Sequence, residues 1–141
     1  MTIAELRKRS NAFVAAIDLH IAEVIEHNEK LLQLNKGQLK ASKTSKGGSL
    51  INSRTNSARY SPAYAKRKGY SNPDLFVNGY FYKEMDLLFN EPKDYFITSY
   101  APFTKYLIEM YSDDLFGINN KRKAKAITTP LMIARYRRYV L

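Results

Sequence analysis

Between Lys30 and Pro73 the chain carries ten lysine and arginine side chains and no aspartate or glutamate. They are Lys30, Lys36, Lys40, Lys43, Lys46, Arg54, Arg59, Lys66, Arg67 and Lys68. Charge of one sign over so long a stretch creates a directional field rather than an evenly mixed surface. A second acid-free run from Asn119 onward holds Lys121, Arg122, Lys123, Lys125, Arg135, Arg137 and Arg138. Thirteen acids against six bases occupy the other residues, so two basic segments alternate with two mildly acidic ones. The net charge of +10 is thus segregated. It implies a polyanionic or acidic neighbour, with nucleic acid and an acidic protein surface as the two candidates. The plain alternative is a solvated basic loop.

The 141 residues suit one domain, expected to span 1–141 and to bury about two-thirds of its unfolded surface. A hydrophobic share of 45% is enough for a core. Eleven tyrosines, each with an apolar body and a polar tip, suit surfaces that meet partners or stack on bases. Without cysteine there is neither a disulfide framework nor a thiolate metal site. His20 and His27 are seven residues apart, not the four that place two ligands on one helix face. No apolar run approaches the roughly 18 residues needed to span a bilayer. Met1–Ser10 lacks the apolar run of a signal peptide. A protein that works in soluble form, or inside a soluble assembly and away from membranes, is expected.

Thr2 and Glu5 form a capping-box pattern. Apolar residues then recur at helical spacing: Ile3, Leu6, Phe13, Val14, Ile17, Ile21, Val24, Ile25, Leu31 and Leu32. The spacing predicts one helix of about 30 residues, ending near Asn35 and Gly37. Residues 36–58 are rich in Lys, Ser, Thr, Asn and Gly, with Leu39, Leu50 and Ile51 as their apolar anchors. They read as a long loop or extended hairpin arm that orders on assembly. Ser61-Pro62 reads as cap and first residue of a short helix that Gly69 ends. Pro73 and Asn78-Gly79 bracket a turn around residues 75–77. The run 81–89 fits helix or strand, and pairing of about 84–90 with 94–100 across a turn at Pro92 is preferred. Pro102 opens a further helix with Phe103, Tyr106, Leu107, Met110 and Tyr111 on one face, and 112–120 is a turn segment. Thr129-Pro130 starts a C-terminal helix at 130–141. The expected class is α+β: a long N-terminal helix, an extended basic arm or hairpin, a small antiparallel sheet and two to three further helices.

The sequence has no phosphate loop, dinucleotide fingerprint or nucleophile elbow. Asp113-Asp114 is an adjacent acidic pair, but neighbouring side chains point apart and no third ligand is near, so a turn or cap role is expected. With no nucleophile–base pair and no ligand set, the chain reads as a non-enzyme without catalytic residues, metal or cofactor.

The order of motifs over residues 59–118 resembles the head–tail connector and tail-completion proteins of bacteriophages, the neck or virion-morphogenesis group. The resemblance begins at Ser61-Pro62-Ala63-Tyr64 and runs to the basic Lys68-Gly69, then continues at Leu75. Asn78-Gly79-Tyr80-Phe81 with Met85 follows, then Ile97-Thr98-Ser99, then Ala101-Pro102-Phe103 leading into Tyr106-Leu107-Ile108-Glu109. Asn78 stands where threonine is usual, and Pro102-Phe103 replaces a simpler Tyr-Ala approach. Leu115-Phe116-Gly117-Ile118 occupies the place of the usual closing Pro-Arg-Pro-Phe.

This resemblance implies a structural subunit of the virion neck or tail, made in the host cytoplasm. It implies a homo-oligomeric ring of the order of six or twelve copies that joins portal or adaptor to tail proteins. Such a ring meets packaged DNA through non-specific phosphate contacts. The candidate contact residues are Lys40, Lys43, Lys46, Arg54, Arg59, Lys66, Arg67, Lys68, Lys121, Arg122 and Lys123. The arm at 36–58 is the better candidate for gripping a neighbouring subunit. The helix with Lys66, Arg67 and Lys68 is the better one for DNA or an acidic protein face. The alternative function is a basic module for RNA or single-stranded DNA, with Tyr60, Tyr64 and Tyr70 stacking on bases. Against it stands the packing of these tyrosines in the core or a subunit interface.

Overall fold

The computed structural model describes residues 1–75, 79–90 and 94–141. The turn expected at 75–77 with Asn78, and the hairpin turn with Pro92, fall at 76–78 and 91–93 and lie outside the described residues. The class is α+β, with helices around one small antiparallel sheet.

The capping box forms as its residues predict. The Glu5 backbone N–H donates to Thr2 Oγ1 at 3.1 Å, and the Thr2 N–H donates to the Glu5 carboxylate at 2.8 Å. The single long helix does not form. Its place is taken by α1 (Ile3–Ala15), α2 (Ile17–Ile25) and α3 (Glu29–Lys40). Ala16 makes a shallow bend with φ −102° and ψ 21°. The second break is sharper. His27 enters the left-handed region at φ 56°, and its N–H leaves the helix to donate to the Leu87 carbonyl at 2.8 Å. Asn28 then caps α3, accepting from the Leu31 N–H at 3.1 Å. A straight helix of 30 residues would reach about 45 Å. The elbow brings Leu31, Leu32 and Leu39 back into the core instead.

α3 also runs past both expected stops. Asn35 is fully buried. Its amide donates to the Leu115 carbonyl at 2.9 Å, and its side-chain oxygen accepts from the Gly117 N–H at 3.2 Å. Gln38 bridges the same loop, donating to the Gly117 carbonyl at 2.9 Å and accepting from the Asn119 N–H at 2.6 Å.

Of the two readings of 36–58, the long loop forms beyond residue 40 and the extended arm does not. Residues 36–40 belong to α3, and the chain beyond them is a looped segment tied to the body. Leu50 is fully buried, and Ser42 and Leu50 are joined by a backbone bond. The Ser45 N–H donates to the Asp114 carbonyl at 2.8 Å and the Ser53 N–H to the Met110 carbonyl at 2.7 Å. Gly117, at φ 136°, lets the loop approach, since a Cβ there would lie 2.8 Å from that of Ser45. Leu39 and Leu50 are apolar enough to hold down a segment whose polar composition alone suggested an arm.

The short helix α4 (Pro62–Lys68) forms as read, with Ser61 accepting from the Tyr64 N–H and Gly69 closing it at φ 85°. The ambiguous run resolves into both forms: one helical turn, α5 (Tyr80–Lys83), and then a strand. β1 (Met85–Asn90) pairs antiparallel with β2 (Asp94–Ser99) in the expected hairpin. Met85 opposes Ser99 and Leu87 opposes Ile97, and these four face the core. α6 (Thr104–Tyr111) starts two residues after Pro102, and a 3-10 turn follows at Asp113–Leu115. Tyr106 is turned outward, away from its expected face.

α7 (Lys121–Val140) starts nine residues earlier than expected, with Asn120 accepting from the Lys123 N–H at 3.0 Å. Pro130 lies inside it. Proline frees the carbonyl four residues earlier, at Ala126. Both residues are exposed, so water can take that bond.

α7 packs across α1, α2 and α3. Where these helices cross, the buried His20 ring stacks on Phe13 at 4.1 Å and meets Tyr139 edge-on at 4.8 Å. Its Nδ1 accepts from Arg135 Nε at 3.2 Å, and Arg135 also pairs with Glu23. A nitrogen that accepts from a guanidinium carries no proton, so this histidine is neutral. Burial pushes its pKa down, Arg135 lowers it further, and Glu23 opposes them. His27 is the reverse case. Its Nδ1 lies 2.7 Å from the Asp86 carboxylate, and that hydrogen bond and charge raise its pKa.

Two predictions follow from this packing. Leu50→Ala should destabilise the chain by about 2–5 kcal/mol, and residues 41–58 should resist limited proteolysis in the native state. Rapid cleavage there, with an unchanged Tm for the variant, would restore the arm. The histidines should titrate with opposite signs. His20, depressed, contributes stability above its unfolded pKa that is lost as pH falls. His27, raised, contributes stability at low pH that is lost as pH rises through its folded value. Between about pH 7.5 and 5.5, His20→Phe should lose less Tm on acidification than wild type, and His27→Gln should lose more. Parallel curves for all three proteins would refute the assignment.

Candidate functional site

The acid-free stretch cannot neutralise itself, and each of its ion pairs draws on an acid from outside it. Lys36 reaches Glu29 at 3.4 Å, Lys46 reaches Asp114 at 3.5 Å and Lys68 reaches Asp74 at 3.2 Å. Only the last is well shielded on both sides, with side-chain exposures of 15% and 20%. The Lys46 pair is a surface contact worth about 0–1 kcal/mol.

Lys68 stands at the centre of a tyrosine cluster. Its ammonium lies 5.2 Å from the ring centres of Tyr60 and Tyr70 and 5.6 Å from that of Tyr64. Tyr60 and Tyr64 meet edge to face at 4.8 Å. Asp74 ties the rings together. Its carboxylate accepts from the Tyr70 hydroxyl at 2.7 Å, its N–H donates to the Tyr60 hydroxyl at 3.2 Å, and its carbonyl accepts from the Tyr82 hydroxyl. Burial works against the Lys68 charge. Hydrogen bonds to Tyr70 and Asp74 outweigh it, so the ammonium is held above the ordinary lysine range. Burial also raises the phenol pKa of Tyr60 and pushes Tyr111 up to about 12.

This cluster forms one wall of a cleft of about 390 Å³. The segment from Asn52 to Ser61 supplies its rim, α4 one side and α6 the other. Sequence reasoning picked out Tyr60, Tyr64, Arg59 and Lys68 here. It missed Asp74 and the part played by Leu107, Met110 and Tyr111. Their shared helical face was legible, and it does point inward, but a face alone does not distinguish a filled core from a cleft.

The other candidate contact residues fall into two further groups. Lys66 and Arg67 occupy the exposed side of α4, Arg67 stacking on Tyr64 at 5.3 Å. Lys40, at the end of α3, lies 5.2 Å over Tyr82. Lys43 and Lys46 sit on the loop that abuts Asn119, beside the first turn of α7 with Lys121, Arg122 and Lys123. The two acid-free segments therefore meet in space at that point. Arg54 is exposed in the turn between them and the cleft. Among the described residues, no group of three or more His, Asp or Glu side chains could hold a metal ion. No described helix is long and apolar enough to cross a membrane.

No family model, curated protein or solved structure matches this chain.

Lys68→Met should strand Asp74 among the tyrosines and lower stability by about 1–3 kcal/mol. A double-mutant cycle with Asp74→Asn, read by urea denaturation, should give a coupling energy of about 1 kcal/mol or more. Additive effects would reduce the pair to an ordinary surface contact.

Proposed function

We propose that the chain is a structural subunit of a bacteriophage neck or tail, forming a ring that joins portal or adaptor to tail proteins around the DNA path. The observation that carries this reading is the order of motifs from Ser61 to Glu109. Its segments at 61–69, 80–85, 97–99 and 106–109 coincide with α4, the α5–β1 unit, β2 and α6, which supports the reading. Two further features support it. The helical layer leaves Ile3, Val14 and Leu19 exposed at 79%, 63% and 59%, with Ile133 and Leu131 on α7. Apolar side chains gathered on one layer suit burial against another copy. The basic convergence of Lys43 and Lys46 with Lys121, Arg122 and Lys123 suits phosphate contact that positions without reading sequence.

A ring of this kind should be visible by negative-stain microscopy of the purified chain, alone or with its portal. Its affinity for duplex DNA should fall with salt, with a slope set by several phosphates. Reversing Lys121, Arg122 and Lys123 to glutamate should flatten that slope by about 2–3 while leaving the ring intact. A strictly monomeric chain under all these conditions, binding RNA tightly, would overturn the proposal.

A further inference from the structure

The cleft beside α4 has the chemistry of a ligand site, separate from any ring. Its volume of about 390 Å³ lies within the range of small-molecule pockets. Leu75, Phe103, Leu107 and Met110 make it apolar, and Tyr60, Tyr64 and Tyr111 line it with aromatic rings. Phe103, Leu107 and Met110 are only partly buried, and each lines the cleft.

The polar groups of the cleft are biased toward donors. Asn52 has its side-chain oxygen engaged by the Arg54 N–H at 2.9 Å, which leaves its amide N–H₂ to offer. Ser61 accepts from the Tyr64 N–H through its oxygen, which leaves its O–H. The Arg59 guanidinium is exposed, and no described acid pairs with it. The nearby carboxylate, Asp74, is bound by Lys68 and by Tyr70. A complementary ligand is therefore anionic, rich in acceptors and flat, with apolar faces. An aliphatic anion would satisfy Arg59 but leave the tyrosine faces without a matching surface.

We propose that this cleft binds one nucleotide unit, its base against Tyr60 and Tyr64 over the apolar floor and its phosphate at Arg59. The walls are preorganised for this. Tyr60 is held by Asp74 and Lys68, and Tyr64 by its edge-on contact with Tyr60 and by Arg67. Little rotamer freedom is left to lose on binding. The same chemistry can come from a free nucleotide or from an unstacked nucleotide of a single strand.

The test uses the wild-type chain, titrated with dAMP and, separately, with an oligo-dA of about eight nucleotides. Methyl resonances of Leu75, Leu107 and Met110 should move in a saturable manner, whereas those of Val14 and Ile133 should not. Movement with dAMP identifies the free nucleotide as sufficient, and movement with the oligonucleotide alone identifies the strand. Leu107→Trp, which fills the cleft, and Tyr64→Ala should each weaken binding by about tenfold or more, the scale of one lost base stack. Arg59→Glu, on the exposed rim, gives the same readout without touching the interior. Unmoved cleft methyls with both probes would overturn the site. So would oligonucleotide binding that survives all three variants yet is lost on reversing Lys121–Lys123. Because each readout needs one subunit only, failure here leaves the ring untouched, and a monomeric chain leaves the cleft untouched.

Discussion

The buried amide of Asn35 fixes the relation between the parts of this molecule. Carbonyl and N–H groups of the loop at 115–117 cannot form a regular ladder where they lie, and a buried, unpaired peptide group costs roughly 1–3 kcal/mol. Asn35 satisfies one donor and one acceptor from the fully buried face of α3. Gln38, one turn on, satisfies two more. The loop so held delivers the chain to Asn120, which starts α7. It also presents the Asp114 carbonyl to the 41–58 segment. One polar side chain thereby sets the start of the last helix and the docking of the basic loop. An isosteric apolar residue would fill the space and leave both loop groups unpaired.

The same economy of position governs charge. No acid exists between residues 30 and 73, so among the described residues every ion pair of that stretch draws on an acid outside it. Glu29, Asp74 and Asp114 supply them: the Glu29 pair lies within α3, the Asp74 pair ties α4 to the segment that follows it, and the Asp114 pair ties the 41–58 loop to the 3-10 turn. What looked in sequence like an unpaired basic arm is, in part, the stitching of the fold. Most of the exposed remainder lies on α4 with the cleft or at the corner where the 43–46 loop meets α7, with Lys30 and Lys40 on α3 and Arg54 in a turn apart from both.

Local signals were legible and tertiary ones were not. Ser61, Pro62 and Gly69 each act through the backbone of their own turn, so α4 could be read to the residue. The hairpin was readable because Met85 and Leu87 alternate on one face and Tyr95, Phe96, Ile97 and Thr98 are strand formers, on either side of a turn signal at 90–94. The N-terminal helix was misjudged because its apolar spacing continues through 26–28, where His27 and Asn28 redirect the chain. The bond that makes the elbow worthwhile, from His27 to Leu87, lies 60 residues away in sequence. At the other end Pro130 drew the helix start toward itself, whereas Asn120 was the working cap. Proline marks a first turn only when nothing upstream has already nucleated the helix. The cleft was half legible: its tyrosines and cations were in view, but its floor comes from α6 and Leu75 across the fold.

The start of α7 shows where helix energetics and surface chemistry disagree. A helix N-terminus is already positive through its unpaired N–H groups, and cations in the first turn oppose that dipole by about 0.3–1 kcal/mol each. Lys121, Arg122 and Lys123 fill this turn, with no acid among them. Packing does not require them, since all three side chains are exposed. The nearest basic segment, with Lys43 and Lys46, reinforces the field rather than relieving it. Asp114 answers Lys46 only weakly across 3.5 Å of open surface. Glutamate in that turn would complement the dipole and gain stability. Three cations held against the dipole leave a concentrated positive field at this corner, and that field is the feature on which the proposed phosphate contact rests.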